Sequence, residues 1–159
     1  MRVLIQRVKS AEVLIGEKPS GKIGKGLLLF LGIHKDDTPK EVEWLVEKVR
    51  NLRVFPNDED KMHFNLEETG GEALVVSQFT LYGTLTKGRR PEFTEAALPE
   101  QAFLLYEQFV SELSETLSKP VQTGVFGARM EVSLVNDGPV TFLLEPQYIK
   151  KHTTVMLDC

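Results

Sequence analysis

Apolar positions in the first eight residues alternate along the chain, a pattern that predicts a strand. Val3 and Ile5 fall on one face, and Leu4 and Gln6 fall on the other. This spacing is typical of a strand that is buried on one side and partly buried on the second. The N-terminus is therefore expected to belong to a sheet.

Turn-forming residues separate this strand from a second apolar run. Residues 11–15 continue or partner the first strand, and residues 16–26 contain four glycines and one proline. Residues 27–33 are almost entirely apolar, which favours a central strand. The opening third is predicted to be a β-meander.

A helix is predicted from Thr38 onward. Thr38, Pro39 and Glu41 supply a hydroxyl cap, a proline at the first helical position and the glutamate of a capping box. Apolar residues then recur at i, i+3, i+4 and i+7, which indicates one buried stripe. The stripe consists of Val42, Leu45, Val46 and Val49.

The second half predicts one more helix and three strands. The helix opens at Pro99 and stops before Pro120. Strands are expected at residues 73–76, 130–135 and 140–144, the last two joined by a turn at 136–139. The predicted fold class is α+β. Two main helices would pack on a largely antiparallel sheet or partial β-barrel within a single domain, residues 1–159.

Composition narrows the function classes. The chain has 159 residues and a formal net charge of −4, which argues against coating nucleic acid through bulk charge, and we expect no DNA partner. Nucleic-acid contact would have to be local, at Lys87, Arg89 and Arg90 or at residues 150–152, unless these are solvated segments. No stretch is apolar enough for a signal peptide or a membrane span, so a cytoplasmic location is expected.

The familiar catalytic and cofactor patterns are missing from the sequence. The three histidines, at positions 34, 63 and 152, share no metal-ligand spacing with the single cysteine or with carboxylates. The glycines at 21–26 do not follow the order of a nucleotide-binding loop. We expect no metal and no cofactor.

Two segments are nevertheless candidates for a functional site. At Ser77, Gln78, Phe79 and Thr80 an apolar strand turns polar, which suits either an oxyanion-binding site or an ordinary strand end that caps a turn. The Gly138-Pro139 pair suits either a specialised cis bond or an ordinary turn. Residue patterns alone leave both alternatives open.

Several spaced motifs resemble the D-aminoacyl-tRNA deacylase (D-Tyr-tRNA deacylase) family. Its Ser-Gln-Phe-Thr-Leu motif matches residues 77–81, and its Asn-x-Gly-Pro-x-Thr motif matches residues 136–141. Residues 1–8, 87–91 and 123–130 also match, so the resemblance covers about residues 1–145. Residues 146–159 are a C-terminal extension of uncertain role.

The resemblance implies hydrolysis of the ester bond of D-aminoacyl-tRNA by a homodimer. Gly138 and Pro139, joined by a cis bond, would enter the partner subunit's active site and leave no space for an L side chain. Glycyl-tRNA has no side chain to reject and would also be cleaved.

The resemblance also implies roles for site residues. Gln78 and the Phe79 backbone N–H would hold the ester, Thr80 would orient ligand groups, and Ser77 would be structural, while a tRNA 2′-hydroxyl helps to activate water. Gln6 and Met130 would line the adenosine pocket, and Lys87, Arg89 and Arg90 would meet tRNA phosphates.

Two other functions stay open. In one, Thr80 or Ser77 is the nucleophile of an esterase, although no activating base is visible nearby in the sequence. In the other, the chain is a non-catalytic module that binds a nucleotide or the tRNA 3′ end.

Overall fold

The computed structural model describes residues 1–86 and 88–146. The expectations for Lys87, for the basic group at 150–152 and for the extension after Pro146 therefore lie outside the described residues. Eight strands, two α-helices and one short 3₁₀ helix make up the described part. They are β1 (Arg2–Ile15), β2 (Lys18–Ile23), β3 (Gly26–Gly32), α1 (Pro39–Arg50), β4 (Phe55–Pro56), β5 (Met62–Phe64), β6 (Glu72–Ser77), the 3₁₀ helix (Phe79–Tyr82), α2 (Pro99–Glu115), β7 (Gln122–Thr123) and β8 (Glu131–Leu144).

Strand β1 organises a mixed, barrel-like sheet. The strand order is β2-β1-β3-β6-β7, and β8 also pairs with β1. The three partners of β1 are antiparallel to it, whereas β3, β6 and β7 run parallel to one another. The predicted α+β class with a largely antiparallel, barrel-like sheet is confirmed.

The predicted meander is wrong, because β3 pairs with β1 and not with β2. β2 has six residues and covers only residues 11–15 of the 14-residue β1. β2 does not reach residues 2–8 of the same edge, and the apolar strand β3 pairs with β1 there. The length of β1 thus allows two strands to share one edge.

The predicted turn at residues 136–139 is also wrong. β8 runs from Glu131 to Leu144 through this segment. Residues 131–136 and 141–144 pair with β1 in the same direction, and residues 137–140 between them have no partner on β1. Asn136 Nδ2 donates to the carbonyl oxygens of Arg7 and Val140, at 2.9 and 3.2 Å. These bonds satisfy backbone groups that the irregular ladder would leave unpaired, so the strand keeps its direction.

Both helices pack on one face of the sheet. The stripe of α1 is buried as predicted, and the capping box is present, with Thr38 N–H donating to Glu41 at 2.8 Å. In α2, Tyr106 and Phe109 are buried in the same hydrophobic cluster. A second cluster, which includes Leu28, Leu74 and Val76, forms separately from it.

Among residues 1–86 and 88–146, no helix is long and apolar enough to cross a membrane.

Candidate active site

The segment Ser77–Thr80 lies where β6 ends and the 3₁₀ helix begins. Gln78 N–H donates to the Leu31 carbonyl at 2.8 Å, which extends the pairing of β6 with β3 by one residue. Gly32 of β3 lies directly beneath: a Cβ there would come within 3.0 Å of both Gln78 O and Leu81 Cβ. Glycine at 32 therefore lets the 3₁₀ helix rest on the strand backbone.

The side chains of Gln78 and Thr80 are hydrogen-bonded to each other. Gln78 Nε2 donates to Thr80 Oγ1, and Thr80 is exposed. An amide N–H group cannot take a proton from the hydroxyl, so this contact does not activate Thr80 as a nucleophile. The pair is suited to holding polar atoms of a ligand.

A mostly apolar cavity of about 400 Å³ opens beside this segment. That volume is in the range of small-molecule sites. Its wall combines the end of β3, the start of the 3₁₀ helix, the segment before α2, and the loop after β7. The lining residues are Leu31, Ile33, Ser77, Gln78, Phe79, Phe93, Ala96, Ala97, Leu98, Pro99, Ala102, Phe126 and Gly127.

Aromatic rings of the cavity wall were not identified from the sequence. Phe93 contacts Phe79 with ring centroids 4.9 Å apart, and Phe126 lies 5.4 Å from Phe103 and 5.6 Å from Tyr106. Phe93 stands in a turn-rich stretch without periodicity, so no pattern marks it as part of a cavity wall.

The segment before α2 is tied to the end of β3. Lys35 N–H donates to Glu95 O at 3.0 Å, and Ala97 N–H donates to Ile33 O at 2.9 Å. Lys35 Nζ also donates to Glu95 Oε1 at 2.9 Å, and His34 Nε2 lies 3.1 Å from Glu95 Oε2. These side-chain hydrogen bonds lower the pKa of Glu95; the bond from Lys35 has the larger effect and that from His34 the smaller.

The hydroxyl of Tyr106 anchors α2 beneath the cavity. It donates to the Val75 carbonyl of β6 at 3.1 Å, and burial raises the pKa of Tyr106 to about 12. This hydroxyl therefore stays a donor at physiological pH.

Gly138 and Pro139 do not line this cavity. Their peptide bond is cis, and both residues are exposed on β8. The preceding residue, Asp137, has Oδ2 2.9 Å from Nε of Arg7, whose Nη1 donates to the Val54 carbonyl. Arg7, Asn136 and Asp137 thus hold the Gly-Pro segment, a role that the sequence did not reveal.

The remaining predicted residues lie apart from the cavity. Gln6 pairs with Thr141 in β8, and its Nε2 donates to Thr141 Oγ1 at 3.2 Å. Met130 packs against the second cluster, and its Sδ would lie 2.4 Å from a Cβ at Gly124. Neither Gln6 nor Met130 lines the cavity.

Arg89 and Arg90 are exposed on the segment between Thr84 and Glu92. The backbones of Thr84 and Glu92 form two hydrogen bonds with each other, of 2.8 and 3.1 Å.

Within the described residues, no group of three or more histidine, cysteine or acidic side chains is arranged to hold a metal.

Comparison with known proteins identifies the family. Residues 4–145 match the family model described as D-Tyr-tRNA(Tyr) deacylase. A protein from Desulfatibacillum aliphaticivorans named D-aminoacyl-tRNA deacylase is 55% identical over 145 residues, which is 91% of this chain and 99% of that protein.

Two solved structures share the fold. One, named c-Myc DNA Unwinding Element Binding Protein, has a TM-score of 0.86 and 40% identity, covering 92% of this chain and 99% of its own. The other, titled as a probable eukaryotic D-amino acid tRNA deacylase, has a TM-score of 0.78 and 19% identity, covering 91% and 98%. The match over residues 4–145 and the high identity over most of both chains show that this protein belongs to the D-Tyr-tRNA(Tyr) deacylase family.

Proposed function

We propose that the protein hydrolyses the ester bond of D-aminoacyl-tRNA and releases free D-amino acid and tRNA. As a member of this family it is a hydrolase of aminoacyl-tRNA esters. The observation that carries the proposal is the position of Ser77, Gln78 and Phe79 in the wall of a cavity of about 400 Å³. With aminoacyl-tRNA as its substrate, the protein would act in the cytoplasm.

Water, rather than an enzyme hydroxyl, is proposed to attack the ester. Gln78 and the Phe79 N–H group would stabilise the oxygen that gains charge, because Phe79 opens the 3₁₀ helix, where amides lack intrahelical acceptors. Thr80, bonded to Gln78, would orient ligand groups, and Ser77 would support the turn. The 2′-hydroxyl of the terminal adenosine would help to activate the water.

The chirality filter is proposed to come from a second subunit. Gly138 and Pro139 are exposed and do not reach their own cavity, so they would serve the cavity of a partner subunit. Their carbonyl oxygens would meet the substrate amino group, and the chain there would exclude an L side chain. Exposed apolar residues of the same strand would be buried in the dimer interface; they are Val135, Phe142 and Leu143.

Other contacts follow from the same arrangement. Glycyl-tRNA would escape the filter, since glycine presents no side chain. Gln6, beside the Gly-Pro segment, and Met130 would reach substrate only across the dimer interface. Lys87, Arg89 and Arg90 would contact tRNA phosphates.

The test is release of labelled tyrosine from matched D-Tyr-tRNA and L-Tyr-tRNA. We expect rapid release from the D ester alone, with activity retained by Thr80→Ala. Trapping of an acyl-enzyme by hydroxylamine would instead favour an esterase with a Thr80 or Ser77 nucleophile. Tight tRNA binding without turnover would favour a binding module.

DNA serves as a competitor in the binding assay, since one structural neighbour is named for binding a DNA element. We expect neither single-stranded nor duplex DNA to displace tRNA.

A further inference from the structure

Phe93 is the aromatic neighbour of the residue whose backbone is proposed to bind the ester. Phe79 is 56% exposed, and its ring meets the Phe93 ring edge-on, with an interplanar angle of 62°. Edge-to-face pairs of this kind are favourable beyond the area that they bury. The Phe93 ring is therefore one of the groups that fix where the Phe79 ring lies.

A glycine makes room for the Phe93 ring. A Cβ at Gly83 would lie 3.1 Å from Cε1 of Phe93 and 3.0 Å from the Thr80 carbonyl oxygen. Gly83 N–H also donates to that carbonyl at 2.9 Å and closes the 3₁₀ helix. The Phe93 ring therefore packs against the Phe79 ring at the start of the segment and lies close to Gly83, just past its end.

The backbone on both sides of Phe93 is held in place. Before it, Glu92 forms the two-bond pair with Thr84. After it, Ala96 N–H donates to Phe93 O at 3.1 Å, and Ala97 is bonded to the end of β3. Because the backbone of Phe93 is held by these bonds, its ring has a fixed position against which the Phe79 ring packs.

We propose that Phe93 is a positioning residue, whose ring fixes Phe79 so that the Phe79 N–H group points at the reacting ester oxygen. The inference rests on the proposed function. It differs from a simple lining role, although Phe93 also borders the cavity. A lining residue affects substrate binding, whereas a residue that orients an oxyanion donor affects the chemical step.

The test measures kcat and KM separately for D-Tyr-tRNA in Phe93→Leu and Phe93→Tyr. In Phe93→Leu we expect kcat to fall about tenfold to a hundredfold, since a misplacement of about 1 Å can cost that much, with KM within about threefold of wild type. Phe93→Tyr keeps the ring and should retain most of kcat. Phe64→Leu, in the remote strand β5, is the control for lost aromatic packing and should keep wild-type kcat.

Three results would overturn the inference. The first is a Phe93→Leu enzyme with unchanged kcat, or with KM alone raised. The second is an equal fall in kcat for the Leu and Tyr variants. The third is the same fall in Phe64→Leu. If Phe93→Leu does not fold, Phe93→Met is judged by the same criteria. A folded wild-type enzyme that releases no tyrosine would contradict the proposed function itself, and the inference with it.

Discussion

Nε of Arg7 lies 2.9 Å from Oδ2 of Asp137, so a buried cation of β1 is paired with the residue that precedes the cis Gly138-Pro139 bond. The Arg7 side chain is 10% exposed and that of Asp137 28%. The ion pair joins the interior of the sheet to the exposed segment that we propose as a chirality filter.

Replacing this cation should weaken both the fold and the filter. In Arg7→Met we expect a loss of about 2–3 kcal/mol in the free energy of unfolding, toward the lower end for a broken buried pair because Asp137 keeps some solvent contact. The ratio of D-Tyr-tRNA to L-Tyr-tRNA hydrolysis should fall. Urea unfolding and tyrosine release measure the two effects, with Arg7→Lys as the charge-conserving control. An unchanged D/L ratio in a destabilised Arg7→Met protein would show that the ion pair serves stability alone.

Dimers with two differently tagged subunits can locate the filter. One subunit carries Gln78→Ala, so that only the other has a working cavity. Pro139→Ala on the Gln78→Ala subunit should raise L-Tyr-tRNA hydrolysis at least about tenfold, because we propose that the filter for the working cavity comes from the partner subunit. The same change on the working subunit should have little effect. The reverse result would mean that each subunit filters its own substrate.

A methyl group at position 32 should disturb the site from below. Gly32→Ala puts a Cβ 3.0 Å from Gln78 O and Leu81 Cβ. Overpacking of this kind costs about 1–3 kcal/mol, and the shifted turn should lower kcat about tenfold. Gly24→Ala is the matched control, since its Cβ would meet only Glu72 Oε2 at 3.4 Å. Equal kcat values for the two variants would show that the turn tolerates the shift.

The ion pair between Glu95 and Lys35 should make the stability of the fold depend on pH in the acid range. Hydrogen bonds from Lys35 and His34 lower the pKa of Glu95 below its ordinary 4.5. A lowered carboxyl pKa stabilises the folded state above pH 4.5, and that stabilisation is lost as the pH falls through the folded-state pKa. The melting temperature of Glu95→Gln should thus lie below that of wild type at pH 6 and approach it toward pH 3. A gap that is constant over this range would rule out the carboxylate as its source.

Local patterns were sufficient for much of the architecture. The α1 stripe and the capping box of Thr38 and Glu41 depend on spacing within one helix, so the sequence predicts them directly. The end of β6 at Ser77 was also predictable, because the sequence changes there from apolar to polar residues. Residue patterns did not show that Ser77, Gln78 and Phe79 border a cavity.

Contacts between distant segments were decided only by the tertiary structure. Asn136, Asp137, Gly138 and Pro139 are typical turn residues, yet hydrogen bonds and an ion pair to Arg7 keep them within β8. Likewise the cavity wall forms because residues 93–97 are bonded to the end of β3. The sequence by itself determined the elements with a local periodicity or cap. The partners of β1 and the assembly of the cavity depended on which distant backbone and charged groups satisfy one another, and no local pattern records that choice.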